Sequence, residues 1–287
     1  MDSTRIALGS IVVGIDGSDA SHEALAWAHE QALLEGRGLS LLHALAPLSG
    51  GVRASLISAG IDPVTLRVQT RQDARHLLEA ARAVVADRSP DVDVATSLVE
   101  LDAREALVDV SHDASLVVVG SRGLGPLLSL VMGSVSLSVA QRAACPVLVH
   151  RPHDGIRRGI LVGVDGSPRS MPALEFAFRQ ASLRGEPLTV THCFWDVAAQ
   201  DAGLSEIRRV LAEMTGAMRE KFPDVDWQVR LEHGLADVCL AQESDVADLV
   251  VIGRTHPRRH LPFLAPGVAT AVLEHARSNV ALVPDVG

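Results

Sequence analysis

Short apolar runs alternate with longer amphipathic stretches along the whole chain, and this alternation predicts its elements. IVVGI, from Ile11, is a β-branched run of strand length with few polar interruptions, the pattern of a strand buried on both faces. SHEALAWAHEQALLEG then shows helical periodicity and ends at Gly36, with Ser18 or Ser21 placed to cap its start. LSLLHAL predicts the second strand. After a loop, TLRVQTRQDARHLLEAARAVVAD predicts a second helix, DVATSLVEL a third strand and AREALVDVSHDA a third helix. SLVVVG is the fourth strand, VSLSVAQRAA the fourth helix and VLVH the fifth strand. Strands that alternate with helices build a parallel sheet covered on both faces.

The pattern then repeats. IVVGIDGSDAS (11–21) matches ILVGVDGSPRS (160–170), so Asp16 corresponds to Asp165. The same offset carries LSLLHA onto LTVTHC and places His43 on His192. ASLVVVGSRG (114–123) matches ADLVVIGRTH (247–256) at a smaller offset, so the second copy is shorter in its middle. CPVLVHRP and NVALVPDV close the two copies. Two tandem copies of one α/β domain account for this self-similarity. The polar stretch RPHDGIRRG (151–159) marks the boundary and predicts domains at 1–152 and 153–287. Each is expected to hold a five-stranded parallel sheet with helices on both faces, a Rossmann-like arrangement. In such sheets ligands sit beyond the carboxyl ends of the strands, where the strand order reverses. GIDGS after the first strand and GSRG after the fourth should therefore line one crevice.

Composition narrows the function. Of the 287 residues, 47 % are hydrophobic, which supplies two cores, and only 3 % are aromatic, too few for a base-stacking surface. A net charge of −9 argues against binding nucleic acid through its phosphates. No apolar run approaches the roughly 20 residues that span a bilayer, and MDSTRIALGS has no signal-peptide core. Cys145, Cys193 and Cys239 are scattered in sequence with no CxxC pair, so neither a disulfide framework nor a cysteine zinc site is expected. A reducing cytoplasm fits this usage.

The chemistry gathers at the stretch Val117 to Gln141, where Gly120, Gly123 and Gly133 follow G-x2-G-x9-G-S. Gly120 ends an apolar strand, where a missing side chain lets a ligand approach the backbone. Gly133-Ser134 opens a helix, with Ser134 as the expected N-cap. Unpaired N–H groups and the macrodipole at such a terminus favour phosphate, and Ser134 and Ser136 add hydroxyls. The loop is neither a Walker A loop nor GxGxxG, and a glycine-rich connection without a ligand is the plain reading of it alone. Asp16 follows the first strand, where a carboxylate can bind a ribose hydroxyl or a hydrated cation, or simply form an Asp-Gly turn.

VGIDGS at the first strand end, the G120-x2-G123-x9-G133-S134 pattern and the tandem repeat resemble the universal stress protein family over almost the whole chain. The resemblance implies an adenine-nucleotide α-hydrolase-like fold with ATP in the predicted crevice, possessed by those members that keep the glycine-serine pattern. It implies Gly14, Asp16, Gly17 and Ser18 near base and ribose, and the backbone around His43 and Ala44 against adenine. It implies Gly120, Ser121, Arg122 and Gly123 beside ribose and phosphates, and Gly133, Ser134, Val135 and Ser136 cradling the phosphates. Mg2+ would travel with the nucleotide and keep its waters. The last strands of the two copies would pair, and two chains would form a homodimer read by an unidentified protein partner. Members resembling this chain occur in actinobacteria and are linked to dormancy, hypoxia and growth control.

The second copy departs from the pattern. It keeps Gly163, Asp165 and Gly253, but His256 stands at the second glycine and Pro266-Gly267 replaces the Gly-Ser pair, removing an N–H donor. Arg254, His256, Arg258, Arg259 and His260 make this loop basic, which suits a substitute phosphate site, an acidic partner or a solvated loop. Weak or absent ATP binding is expected there. Pro257 between His256 and His260 argues against a shared metal-ligating helix face, so no protein-held metal is expected. No grouping supplies base, arginine finger and metal clamp together, so slow ATP hydrolysis at most is expected. A nucleotide-free interaction module and a PP-loop type enzyme are the competing readings; GIDGSDAS lacks the paired glycines of the latter.

Overall fold

The computed structural model describes residues 6–123, 132–152, 157–195, 202–254 and 267–285. Two compact units divide between Cys145 and Pro146. The first contains β1 (Ile11–Gly14), α1 (Asp19–Glu35), β2 (Leu39–Ala44), α2 (Gly50–Ser58) and α3 (Pro63–Arg88). It continues through β3 (Val94–Val99), α4 (Ala103–Val110), β4 (Leu116–Gly120) and α5 (Ser134–Arg142). Its strands run in the order β3-β2-β1-β4, all parallel. The chain moves outward from β1 to β3 and then returns to the other side of β1, so the strand order reverses between β1 and β4.

The second unit contains β5 (Val147–His150), β6 (Ile160–Gly163), one 3-10 turn (Pro168–Ser170), α6 (Met171–Arg184), β7 (Leu188–Phe194) and α7 (Ala202–Lys221). It continues through β8 (Trp227–His233), α8 (Ala236–Glu243), β9 (Leu249–Gly253), α9 (Val268–His275) and β10 (Asn279–Val283). Its order is β5-β10-β9-β6-β7-β8, with every pairing parallel except β5 against β10. Thus VLVH, the fifth strand by sequence, joins the second unit, where Val149 pairs with Val280 and Val147 with Leu282.

The continuous apolar runs are the cores. Ile11, Val12 and Val13 of β1 and Val117 and Val118 of β4 are completely buried, as are Val162, Val250 and Val251 in the second unit. Each fully buried aliphatic side chain contributes about 1.5–3 kcal/mol relative to exposure. The structure also holds a helix that the sequence pattern read as loop. α2, GGVRASLIS, buries none of its side chains and starts with two glycines, so it shows neither an apolar stripe nor helix propensity. Asp62 then caps α3 by accepting from the Val64 and Thr65 N–H groups, with Pro63 in the first turn. Among the described residues no helix is long and apolar enough to cross a membrane.

Candidate functional site

β1 and β4 both end in glycine, and the loops that follow them converge. Asp16 folds onto the start of α1: its Oδ1 accepts from the Ser18 N–H at 3.0 Å and from Ser18 Oγ at 2.6 Å. Between them Gly17 sits at φ 85°, a left-handed conformation that a side chain would strain. Ser18 Oγ in turn accepts from Ser21 N–H at 3.2 Å, so Ser18 is the cap of α1. The other carboxylate oxygen faces the second loop. A Cβ on Gly123 would lie 2.5 Å from Asp16 Oδ2, so a side chain there would push this carboxylate aside. The two loops predicted to share a crevice therefore meet.

The second loop is tied down at its base. Gly133 N–H donates to Ser121 O at 2.8 Å, and Ser136 Oγ donates to Gly120 O at 2.7 Å. Together these hold the first turn of α5 against the end of β4. Ser121 and Ser136 are buried, whereas Ser134, Arg122 and Gly123 are exposed. Two sequence expectations change here. The N-cap of α5 is Gly133, not Ser134, and no side chain caps this end. Ser134 falls inside the first turn, its hydroxyl beside N–H groups that lack a side-chain partner. Gly120 is also required by packing: a Cβ there would lie 2.7 Å from Ala20 O and 2.8 Å from its carbonyl carbon. Helix α1 has taken the space.

At the end of β2, beside β1, His43 Nδ1 lies 2.6 Å from Ile15 O. A carbonyl only accepts, so Nδ1–H is the donor in this contact. Ala44 follows it. Gly14, Asp16, Gly17, Ser18, His43, Ala44, residues 120–123 and residues 133–136 thus surround the carboxyl ends of three adjacent strands.

Sequence reasoning missed the wall beyond Ala44. Arg67 on α3 donates to Ala46 O at 3.1 Å and Leu45 O at 3.3 Å, and pairs with Glu100. A groove of about 790 Å3 opens there between α2 and α3, lined by Leu48, Arg53, Ile57, Ile61, Val68 and Arg71. Its only sequence signal was apolar residues in a segment that does not bury them.

The second unit repeats the design with altered parts. Asp165 Oδ1 accepts from Ser167 N–H at 2.9 Å, but the hydroxyl that donates to it is Ser170 Oγ, at 2.5 Å. Burial raises the Asp165 pKa, yet the Ser170 and Ser167 hydrogen bonds outweigh it and the net shift is downward. His192 Nδ1 repeats the His43 tie, 3.0 Å from Val164 O. Leu240 crowds Gly163 as Leu107 borders Gly14, and Gly253 has 3.8 Å of clearance from Arg169 O. Gly267 caps α9 without a side chain, as Gly133 caps α5. The glycine is therefore kept and the serine lost: Val268, not a serine, follows it. His256, Arg258, Arg259, His260 and Pro266 lie outside the described residues. Among the described residues no cluster of His, Cys, Asp and Glu is suited to hold a metal ion.

The model of the universal stress protein family matches this chain twice, over residues 8–151 and 157–284. The chain belongs to the universal stress protein family. A universal stress protein of Mycolicibacterium smegmatis is 32 % identical over 95 % of this chain and 96 % of its own. One from Mycobacterium tuberculosis is 33 % identical over 98 % and 97 %. The solved universal stress protein of Archaeoglobus fulgidus superposes with a TM-score of 0.72 over 96 % of both chains at 19 % identity, a likeness of fold. Both copies found in the sequence are thus universal stress protein domains, and the Asp16–Gly123 convergence lies in the first.

Proposed function

We propose that the first universal stress protein domain binds ATP and that its occupancy, not turnover, is the functional signal. One observation carries this reading: Asp16, held by Ser18, turns its other oxygen toward the Gly123 backbone, beside the start of α5, which no side chain caps. A carboxylate so placed is available to ribose hydroxyls. The N–H groups of α5 with Ser134 form an anion site for the phosphates, and Arg122 stands exposed beside them. The backbone of His43 and Ala44 would border the base. Mg2+ would come with the phosphates. ATP supplies the charge and the hydrolysable bond; the chain supplies position and a dry floor of valines. Among the described residues no pair is arranged to activate water, and this reading takes hydrolysis to be slow at most. In this reading the protein acts as a homodimer in the cytoplasm, and a protein partner reads the nucleotide-dependent surface.

The test is denaturing release of nucleotide from freshly purified protein, chromatographed against ATP, ADP, AMP and cyclic AMP standards. About one ATP per chain is expected, lost in Gly123→Glu, which drives a second carboxylate onto Asp16. No bound nucleotide together with no uptake of added Mg-ATP would leave the glycine loop structural and favour the interaction-module reading. Two equal sites in titration calorimetry would contradict the assignment to the first domain alone.

A further inference from the structure

We propose that Cys193 and Cys239 form a reversible disulfide in the second unit, a redox modification site where the first unit carries alanines. The cysteines are far apart in sequence, and the fold brings them together. Cys193 lies near the end of β7, and α8, which carries Cys239, packs directly on β7 and β6. In the β7–β8 register Cys193 stands opposite Glu232 and Phe194 opposite His233. The next residue, Gly234, donates its N–H to Phe194 O at 2.9 Å. A Cβ on Gly234 would lie 2.7 Å from the Cys239 sulfur. Cys239 Sγ therefore rests on the turn that is hydrogen-bonded to the neighbour of Cys193. The two thiols are within hydrogen-bonding reach of each other. Both cysteines are partly exposed, within reach of a small oxidant.

The internal repeat makes the pairing specific to one unit. The offset that places His192 on His43 places Cys193 on Ala44. Leu240 fills the space at Gly163 as Leu107 borders Gly14, which places Cys239 on Ala106. The second unit thus holds two thiols at the strand ends where the first unit holds two methyl groups. No third ligand accompanies them among the described residues, so a disulfide fits this pair better than a metal.

With hydrogen peroxide as oxidant the step balances. The thiolate of one cysteine attacks one peroxide oxygen; an S–O bond forms, the O–O bond breaks, and the leaving hydroxide takes a proton as water. The thiol of the other cysteine then attacks the sulfenic sulfur; the S–S bond forms, the S–O bond breaks, and the departing hydroxyl leaves with the thiol proton as a second water. Two thiols lose two electrons and the peroxide is reduced to two waters. Burial first, then Cys239 and the carboxylates of Glu243 and Glu232, push the Cys193 thiol up to about 12. The raised value disfavours the Cys193 thiolate.

The full chain is treated with hydrogen peroxide, blocked with iodoacetamide and mapped by mass spectrometry without reduction. The expected product is one peptide pair joined through Cys193 and Cys239, two hydrogens lighter than the separate peptides and restored by dithiothreitol. Alkylatable thiols fall from the three cysteines of the chain to Cys145 alone. Cys239→Ala abolishes the link, Cys145→Ser does not, and circular dichroism confirms that each variant is folded. Full alkylation of both cysteines after oxidation overturns the proposal. So do separate sulfinic acids, or a link to Cys145 or to a second chain. The wild-type map decides even if a variant fails to fold.

Discussion

Gly120 and Gly253 end matching strands with nearly the same neighbours in sequence, yet they do different things. In the first unit α1 begins directly after its Ser18 cap, and the Ala20 carbonyl lies 2.7 Å from the Cβ position of Gly120. In the second, Pro168 starts a 3-10 turn before α6, and the nearest atom stands 3.8 Å from that of Gly253. One glycine is demanded by a helix backbone and the other is free of any such demand. A glycine in a motif is therefore not evidence of a ligand until the atom that fills its missing side chain is known. By that criterion Gly120 is fixed by a helix backbone, whereas Gly123 faces only the movable end of the Asp16 side chain.

The sharpest way to break this comparison is to add one methyl group to each. Gly120→Ala is expected to destabilise the chain by about 2–3 kcal/mol, because the helix backbone must move. Gly253→Ala should stay within about 0.5 kcal/mol. Equal shifts in the urea midpoints would mean that the helix starts do not differ in solution. Next in size are the caps. Ser18→Ala removes both the α1 cap and a donor to Asp16 and should cost about 1 kcal/mol, whereas the Ser167 side chain caps no helix and Ser167→Ala should cost clearly less. A second-unit loss as large as the first would refute the distinction.

A similar free energy, read as affinity, separates the helix starts. Ser134→Val copies the second unit and should weaken ATP binding about 5- to 10-fold, near the worth of one hydrogen bond. Val268→Ser should leave the stoichiometry in titration calorimetry unchanged. The smallest effect is electrostatic. The Asp165 pKa is held below its ordinary 3.8, so the stability it contributes is present above that pH and is lost as pH falls through the lowered value. Thermal midpoints measured from pH 5 down to pH 3 should fall less steeply in Asp165→Asn than in the native chain. Identical slopes would show that the Ser170 and Ser167 bonds do not hold the carboxylate in solution.

The apolar strand runs and the repeat were readable because a strand buried on both faces has no freedom to be polar. The meeting of Asp16 with Gly123 was readable because the reversal of strand order follows from alternating strands and helices. What stayed hidden depends on three-dimensional neighbours. Nothing local distinguishes Gly133 from Ser134 as a cap when both residue types serve. The partner of Gly120 lies on α1, a hundred positions away. α2 packs nothing and so leaves no period. Cys193 and Cys239 look scattered because a strand and a later helix bring them together, and no spacing rule covers that case.

The pairing of β5 with β10 bears on how the chain is made. The bond from Arg151 N–H to Asn279 Oδ1, at the edge of that pairing, spans 128 residues. During synthesis VLVH leaves the ribosome long before NVALV exists, so the edge of β5 that pairs with β10 stays open while more than a hundred residues are made. Pairing so distant in sequence closes late and slowly. A nascent chain that stalls before β10 exposes that edge as a ready template for aggregation.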